Sequence, residues 1–280
     1  MNISKVIPQI LIKDVEYVYP NGTRALNQIN LIVHKGDFIA IMGQNGAGKT
    51  TLIRTLNGLL RPIKGQIYIN GENTNNKTIA NLSKYVGIVF QNPMHQLFSN
   101  TIEEEIKFSL KNLDLGKEEV QIKTQNILKQ FNLEKYKERS PFNLSGGESK
   151  KLAVASIICR NPQILIFDEP TLGQDAKEIK FLIDLLQSER EAGKTIIIVT
   201  HNIEFSLEYV PRTILMSEGN IIADGPTREI LANKNLITKA SLVLPQIYQF
   251  KDALQENGIN VPKDIFKQEE VINFLNDYLK

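Results

Sequence analysis

The sequence predicts an α/β protein. A mostly parallel sheet lies between helices, with an antiparallel β subdomain, an inserted helical subdomain and a small C-terminal helical extension. Three observations carry this expectation. Short β-branched and aliphatic runs recur at 39–41, 86–90, 164–167, 196–199 and 213–216. They are apolar on both faces and separated by helical patterns, as strands covered on both sides must be. From residue 10 to 71, Leu31-Ile32-Val33 and Gln66-Ile67-Tyr68-Ile69 are punctuated by Asn-Gly and Lys-Gly turns, which suits antiparallel strands folded against the first parallel ones. From about 100 to 160 the apolar spacing changes to three and four, at 103–110 and 120–131, with charged faces between.

The chain of 280 residues is long enough for one large domain, or a main domain with a small appendage. We expect a main domain over 1–234, with its helical subdomain at about 95–160. The extension over 235–280 carries amphipathic patterns at 244–254 and 268–279. Its apolar residues Leu242, Leu244, Ile247 and Phe250, with Ile272, Phe274, Leu275 and Leu279, form stripes that a lone helical pair buries only in part. A content of 42% hydrophobic and 23% charged residues excludes wholesale disorder. The 33 basic and 31 acidic residues leave a net charge of +2, too balanced for a protein that grips nucleic acid by bulk charge. The single cysteine, Cys159, cannot form an internal disulfide, and its apolar neighbours make it a small core residue. No apolar run reaches the length of a membrane span, and the opening MNISKVIPQI has no signal-peptide core. The expectation is a cytosolic protein whose membrane role, if any, is peripheral.

The strongest local signal is Gly43-Gln44-Asn45-Gly46-Ala47-Gly48-Lys49-Thr50, a phosphate loop between the strand run 38–42 and a helix expected over 51–60. Glycines let backbone N–H groups curl around a phosphate chain, and the helix N-terminus adds its partial positive charge. Gly43, Asn45, Gly46, Ala47, Gly48, Lys49, Thr50 and Thr51 are therefore the candidate nucleotide contacts. Lys49 is placed to reach the β- and γ-phosphates, and the Thr50 hydroxyl to bind Mg2+. The fold expectation sharpens accordingly to a phosphate-loop NTPase core.

Ile164-Leu165-Ile166-Phe167-Asp168-Glu169 is a buried strand ending in two carboxylates. Ligands of open α/β sheets sit beyond the C-terminal strand ends. Asp168 suits Mg2+ coordination there, and Glu169 suits polarising an attacking water. Leu144-Ser145-Gly146-Gly147-Glu148 precedes a helix expected over 150–159. Ser145, Gly146 and Gly147 offer a second anion receptor, and equally suit an ordinary serine cap with glycines in a turn.

These residues together resemble the nucleotide-binding subunits of ATP-binding-cassette (ABC) transporters, over about residues 10–231. The resemblance rests on the phosphate loop, the Leu-Ser-Gly-Gly-Glu signature and the Ile-Leu-Ile-Phe-Asp-Glu-Pro motif. Gln91, Asp175 within Thr171-Leu172-Gly173-Gln174-Asp175, and His201 after 196–200 complete it. Within the family, Val89-Phe90-Gln91-Asn92-Pro93, Gln96-Leu97-Phe98 and Thr101-Ile102-Glu103-Glu104, with the helical tail, look like the energy-coupling-factor (ECF) subgroup. That subgroup powers uptake of vitamins or of cobalt and nickel.

The resemblance implies an ATPase using ATP and Mg2+ at the cytoplasmic face of the membrane. It works as a pair with a second ATPase subunit, identical or diverged, on integral membrane subunits, with no nucleic acid. It also implies that Ser145 and Gly147 touch the γ-phosphate held by the other subunit, and that Gln91 contacts Mg2+ and the attacking water. His201 then meets the γ-phosphate, Tyr19 stacks on adenine, and the tail stabilises the pair. Glu148 stands where the family usually has glutamine, and Gln174 and Ala176 where it usually has leucine and proline. Other readings of the same residues are the ATPase of another ABC importer, a soluble ABC ATPase of DNA repair or translation, and a phosphate-loop switch or kinase outside the family.

Overall fold

The computed structural model of the chain describes residues 7–262, 265 and 268–278. The chain lays down β1 (Ile10–Val18), β2 (Arg24–Val33) and β3 (Phe38–Met42), the last running into the phosphate loop and α1 (Lys49–Leu56). Next come β4 (Lys64–Ile69), β5 (Glu72–Asn73), α2 (Ile79–Ser83) and β6 (Val86–Val89). A helical segment follows, with α3 (Ile102–Leu110), α4 (Lys117–Gln130) and α5 (Gly146–Ile158). The chain returns through β7 (Ile164–Asp168), α6 (Ala176–Glu191), β8 (Thr195–Val199), α7 (Ile203–Tyr209), β9 (Arg212–Ser217) and β10 (Asn220–Pro226). It closes with α8 (Thr227–Ala232), α9 (Lys234–Lys239), α10 (Gln246–Glu256) and α11 (Gln268–Tyr278).

Two sheets result. One is antiparallel in the order β2-β1-β4-β5; the other runs β10-β9-β3-β8-β7-β6, parallel except for the β10–β9 pair. Side chains alternate across a strand, so the larger sheet feeds two cores. Ile39 and Ile41, Ile164 and Ile166, Ile197 and Val199 pack with Leu52, Ile53 and Leu56 of α1 and with Ile10, Ile12 and Leu26 of the antiparallel sheet. Ala40, Met42, Leu165, Phe167, Ile196 and Ile198 face the other way, onto Ile106, Phe131, Leu152 and Leu186 of the helical side. This two-sided burial is why the strand runs are apolar without alternation.

Three elements differ from the sequence expectation. The helix after the phosphate loop ends at Leu56 rather than continuing to residue 60, because Gly58 takes φ +79, a left-handed stop; Leu59 is consequently exposed. The helix expected from residue 150 starts at Gly146, four residues earlier. There the Ser145 hydroxyl caps the Glu148 N–H and the Glu148 carboxylate returns to the Ser145 N–H, a reciprocal box that adds a first turn. The third difference is in the extension, where α9 was not foreseen.

Helix α9 is part of the main core, since Ile237 and Ala240 are buried within it. Its last carbonyls meet the body directly. The Gln44 N–H donates to the Ala240 carbonyl (3.1 Å), and the Ser217 hydroxyl donates to that of Lys239 (3.1 Å). Helix α10 is tied down as well, by Gln246 N–H to the Glu204 carboxylate (2.7 Å) and by the Lys234–Asp252 ion pair (2.6 Å). Of the apolar tail residues, Leu242, Leu244 and Ile247 pack on the main core, whereas Phe250 and Ile272 are exposed. Leu279 lies outside the described residues. Cys159 is buried, and burial pushes its thiol up to about 12, as expected of an inert core residue.

Candidate active site

The carboxyl ends of the parallel strands converge. Asp168 pairs in register with Val199, Ile41 pairs with Val199, and the Thr200 N–H donates to the Ile41 carbonyl. The segments after β3, β7 and β8 therefore leave the sheet side by side. Gly43 and Gly48 show why the first of these loops needs glycine. Their backbones take φ +146 and φ +100, and a Cβ would stand 2.1 Å from the Met216 carbonyl oxygen at the first and 2.4 Å from that of Ala25 at the second. No side chain fits either place.

Within this loop the Lys49 ammonium is folded back, donating to the carbonyls of Gly43 (2.7 Å) and Gln44 (2.9 Å). Burial lowers its pKa, and the negative charges of Glu169 and Asp168 partly restore it. The Thr50 hydroxyl donates to Asp168 Oδ2 at 3.2 Å. Asp168 is buried, and burial raises its pKa against the pull of the Thr50 hydrogen bond. Magnesium favours hard oxygen ligands and keeps waters or phosphate oxygens around one or two protein groups. The Thr50–Asp168 pair is such a donor set. Among the described residues no cluster of three His, Cys, Asp or Glu side chains could hold a metal alone, so the remaining ligands would be phosphate and water.

Glu169 follows in the left-handed region at φ +51, a conformation that costs a β-carbon residue about 1 kcal/mol or more. Its N–H donates to the Val199 carbonyl at 2.8 Å. Its carboxylate is held from two sides. Oε1 lies 2.9 Å from His201 Nδ1, and Oε2 accepts the Thr200 hydroxyl (3.3 Å) and the His201 N–H (3.4 Å). His201 thus contacts Glu169 directly, a partnership the sequence did not suggest. Thr200 was missed altogether; its place immediately after β8 was the available signal. Gln91 lines a cleft together with Asp168, Glu169 and Gln174. The Tyr19 hydroxyl is 2.9 Å from the Thr51 hydroxyl, and the Tyr19 ring stands edge-on to Tyr17, which places an aromatic beside the start of α1.

Within one chain no hydrogen bond among the described residues joins the second anion receptor to the first. Ser145 and Gly146 are exposed, and among the described residues the hydrogen bonds of Ser145 run to Glu148 and Ser149, none to the phosphate loop. Glu148 Oε2 accepts both the Ser145 N–H (3.0 Å) and the Ser145 hydroxyl (2.8 Å). Hydrogen bonds from Tyr136 and then from Ser145 hold the Glu148 carboxyl at about 2, so it stays ionised at neutral pH. The Lys150 ammonium donates to the Leu172 carbonyl, joining this helix to the loop that carries Asp175.

The ABC transporter family model matches residues 26–172. The chain is 38% identical over 270 residues to the energy-coupling factor transporter ATP-binding protein EcfA of Methanococcus maripaludis, covering 96% of this chain and 97% of that one. It spans less than half the length of other curated relatives, 42% and 44% of two putative ABC transporter ATP-binding proteins from Methanosarcina acetivorans and Caldanaerobacter subterraneus, at 38% and 39% identity over 91% and 89% of this chain. The fold is similar to that of cbiO1 from Clostridium perfringens, part of the ABC transporter complex cbiONQ. The TM-score is 0.72 at 35% identity, over 88% of this chain and 99% of that one. It is also similar to an ATP-binding cassette solved as a dimer in a post-hydrolysis state with ADP and Pi. There the TM-score is 0.71 at 29% identity, over 78% of this chain and 98% of the other.

Proposed function

The chain belongs to the ABC transporter family, ATP-binding branch, and from that premise we propose that it is the ATP-hydrolysing motor of a membrane importer of the energy-coupling-factor kind. The observation that carries this is the convergence of Lys49, Thr50, Asp168 and Glu169 at the strand ends, with Glu169 held by His201 and Thr200. The transported substrate belongs to the class of vitamins or of cobalt and nickel, and the motor sits peripherally on the cytoplasmic face against integral membrane subunits. No described helix is long and apolar enough to cross a membrane.

In the proposed reaction the glycine-rich loop wraps the phosphates. Lys49 exchanges its two carbonyl partners for the β- and γ-phosphates, and Tyr19 stacks on the adenine. Thr50 and Asp168, with Gln91 beside them, would hold magnesium, which would supply charge neutralisation to the phosphates. Glu169 orients the attacking water, and His201, gripping Glu169 through Nδ1, faces the γ-phosphate with its other nitrogen. Ser145, Gly146 and Gly147 serve a phosphate bound on a second subunit, a reading supported by the exposure of Ser145 and Gly146 and by hydrogen bonds of Ser145 that run to Glu148 and Ser149. ATP thereby bridges two chains, and its hydrolysis removes the bridge. Since only the nucleotide-bound state gains these contacts, the open-to-closed equilibrium shifts by the differential affinity.

Turnover of Mg·ATP by the full chain measured against protein concentration tests this. Activity per chain rises with concentration and saturates, and a chain ending at Asn257, which keeps α9 and α10, needs a higher concentration to reach half its maximum. Activity per chain that is constant over the whole range refutes pairing. Equal midpoints for the two lengths refute a dimer-stabilising role for residues beyond Asn257.

A further inference from the structure

Gln96 is a half-buried amide that none of the roles above requires. It follows the one-turn 3-10 segment Pro93–His95, whose start is capped by the Asn92 side chain, and precedes Leu97, which is 2% exposed and fixed in the helical-side core. Both ends of its side chain are used. Nε2 donates to the Ala153 carbonyl at 2.7 Å and to the Ser156 hydroxyl at 2.8 Å, both in α5. Oε1 accepts the N–H of Phe90, a longer contact of 3.4 Å. Phe90 is the residue before Gln91.

A primary amide is suited to this place, because it alone offers a donor pair and an acceptor on one short planar group. The Ala153 carbonyl and the Ser156 hydroxyl lie near one another, since the Ser156 hydroxyl also donates to Ala153 (3.0 Å). The loop carrying Gln91 is therefore pinned to α5 through a side chain rather than through backbone pairing. Helix α5 begins at the Ser145 cap, two turns before Ala153, about 12 Å along the axis. The 13 residues of α5, with a closed capping box at their start, run unbroken from the Ser145 cap past Ala153 and Ser156.

We propose that Gln96 is a positioning residue that locks the Gln91 loop and the Ser145 helix into one moving body. Gln91 then reaches the nucleotide of its own chain only when Ser145 is presented to the nucleotide of the other. This rests on the reading above of Gln91 and Ser145, and goes beyond it by naming what joins them. A carboxamide acting only as filler would change stability and leave the two halves of the site independent.

The experiment compares full-length wild type, Gln96→Leu and Gln96→Glu, each alone and combined with Ser145→Ala, at saturating protein concentration. Gln96→Glu keeps the shape and the acceptor for Phe90 but removes the donors to α5, so it carries the test if Gln96→Leu fails to fold. Each Gln96 variant lowers kcat about tenfold with KM within about twofold, the cost of a small misplacement. Ser145→Ala alone lowers kcat at least as much, but in either Gln96 background it adds no more than about a further factor of two, because the groups act as a unit. Wild-type kcat in Gln96→Glu, or effects that multiply with those of Ser145→Ala, overturns the proposal. Wild type without concentration-dependent turnover overturns the functional reading instead.

Discussion

Replacing Glu169 with glutamine leaves ATP binding intact, cuts turnover by about a hundredfold to ten-thousandfold and shifts the chain toward closed pairs. The range is that of a positioned acid–base group lost from a transition state. The amide is isosteric, and its oxygen still accepts from the Thr200 hydroxyl and the His201 N–H, so the left-handed turn at φ +51 keeps its anchors. What disappears is the charge that, in the proposed reaction, orients the water. Nucleotide affinity resides mainly in the phosphate loop and the Lys49 ammonium, which this change does not touch. Single-turnover hydrolysis, equilibrium nucleotide binding and light scattering with ATP report the three effects separately. Rapid turnover by the variant removes Glu169 from the chemistry.

Ser145→Arg abolishes hydrolysis while leaving nucleotide affinity within about twofold. Ser145 is exposed, so the larger side chain meets no core; the local cost is the lost helix cap, about 1 kcal/mol. Affinity survives because the phosphate loop of the same chain is untouched. The decisive measurement mixes Ser145→Arg with Lys49→Ala, each inactive alone. In a mixed pair one site combines the intact loop of one chain with the intact Ser145 of the other. Random pairing of equal amounts makes half the dimers mixed, each with one working site of two, so activity returns to about a quarter of wild type. No recovery on mixing means that Ser145 serves its own chain.

Local chemistry was legible in the sequence wherever a residue's partners lie close along the chain or at aligned strand ends. The glycines of 43–48 announce a loop that no side chain can enter, and Asp168 and Glu169 announce themselves by following four buried apolar positions. That Thr50 meets Asp168 follows from strand ends that flank β8 on either side. Three features were not legible. The stop at Gly58 depends on a left-handed backbone, while the apolar spacing of Leu59 and Leu60 invites continuation. Glu148 stands out in the sequence only as a departure from the usual glutamine. Its double hold on Ser145 appears only once helix α5 is seen to start four residues earlier. Gln96 is a polar residue between exposed His95 and buried Leu97, and nothing in its spacing reveals a partner 57 residues away.

The hydrogen bond from Gln44 to Ala240 has a practical consequence for chimeras. A tail exchanged between related motors must be joined beyond Ser241. A junction at residue 234, where the sequence alone invites a cut, would hand the backbone carbonyls that accept from Gln44 and from the Ser217 hydroxyl to the incoming helix, whose seating would then decide both bonds. Grafts made there would test loop repair rather than tail identity.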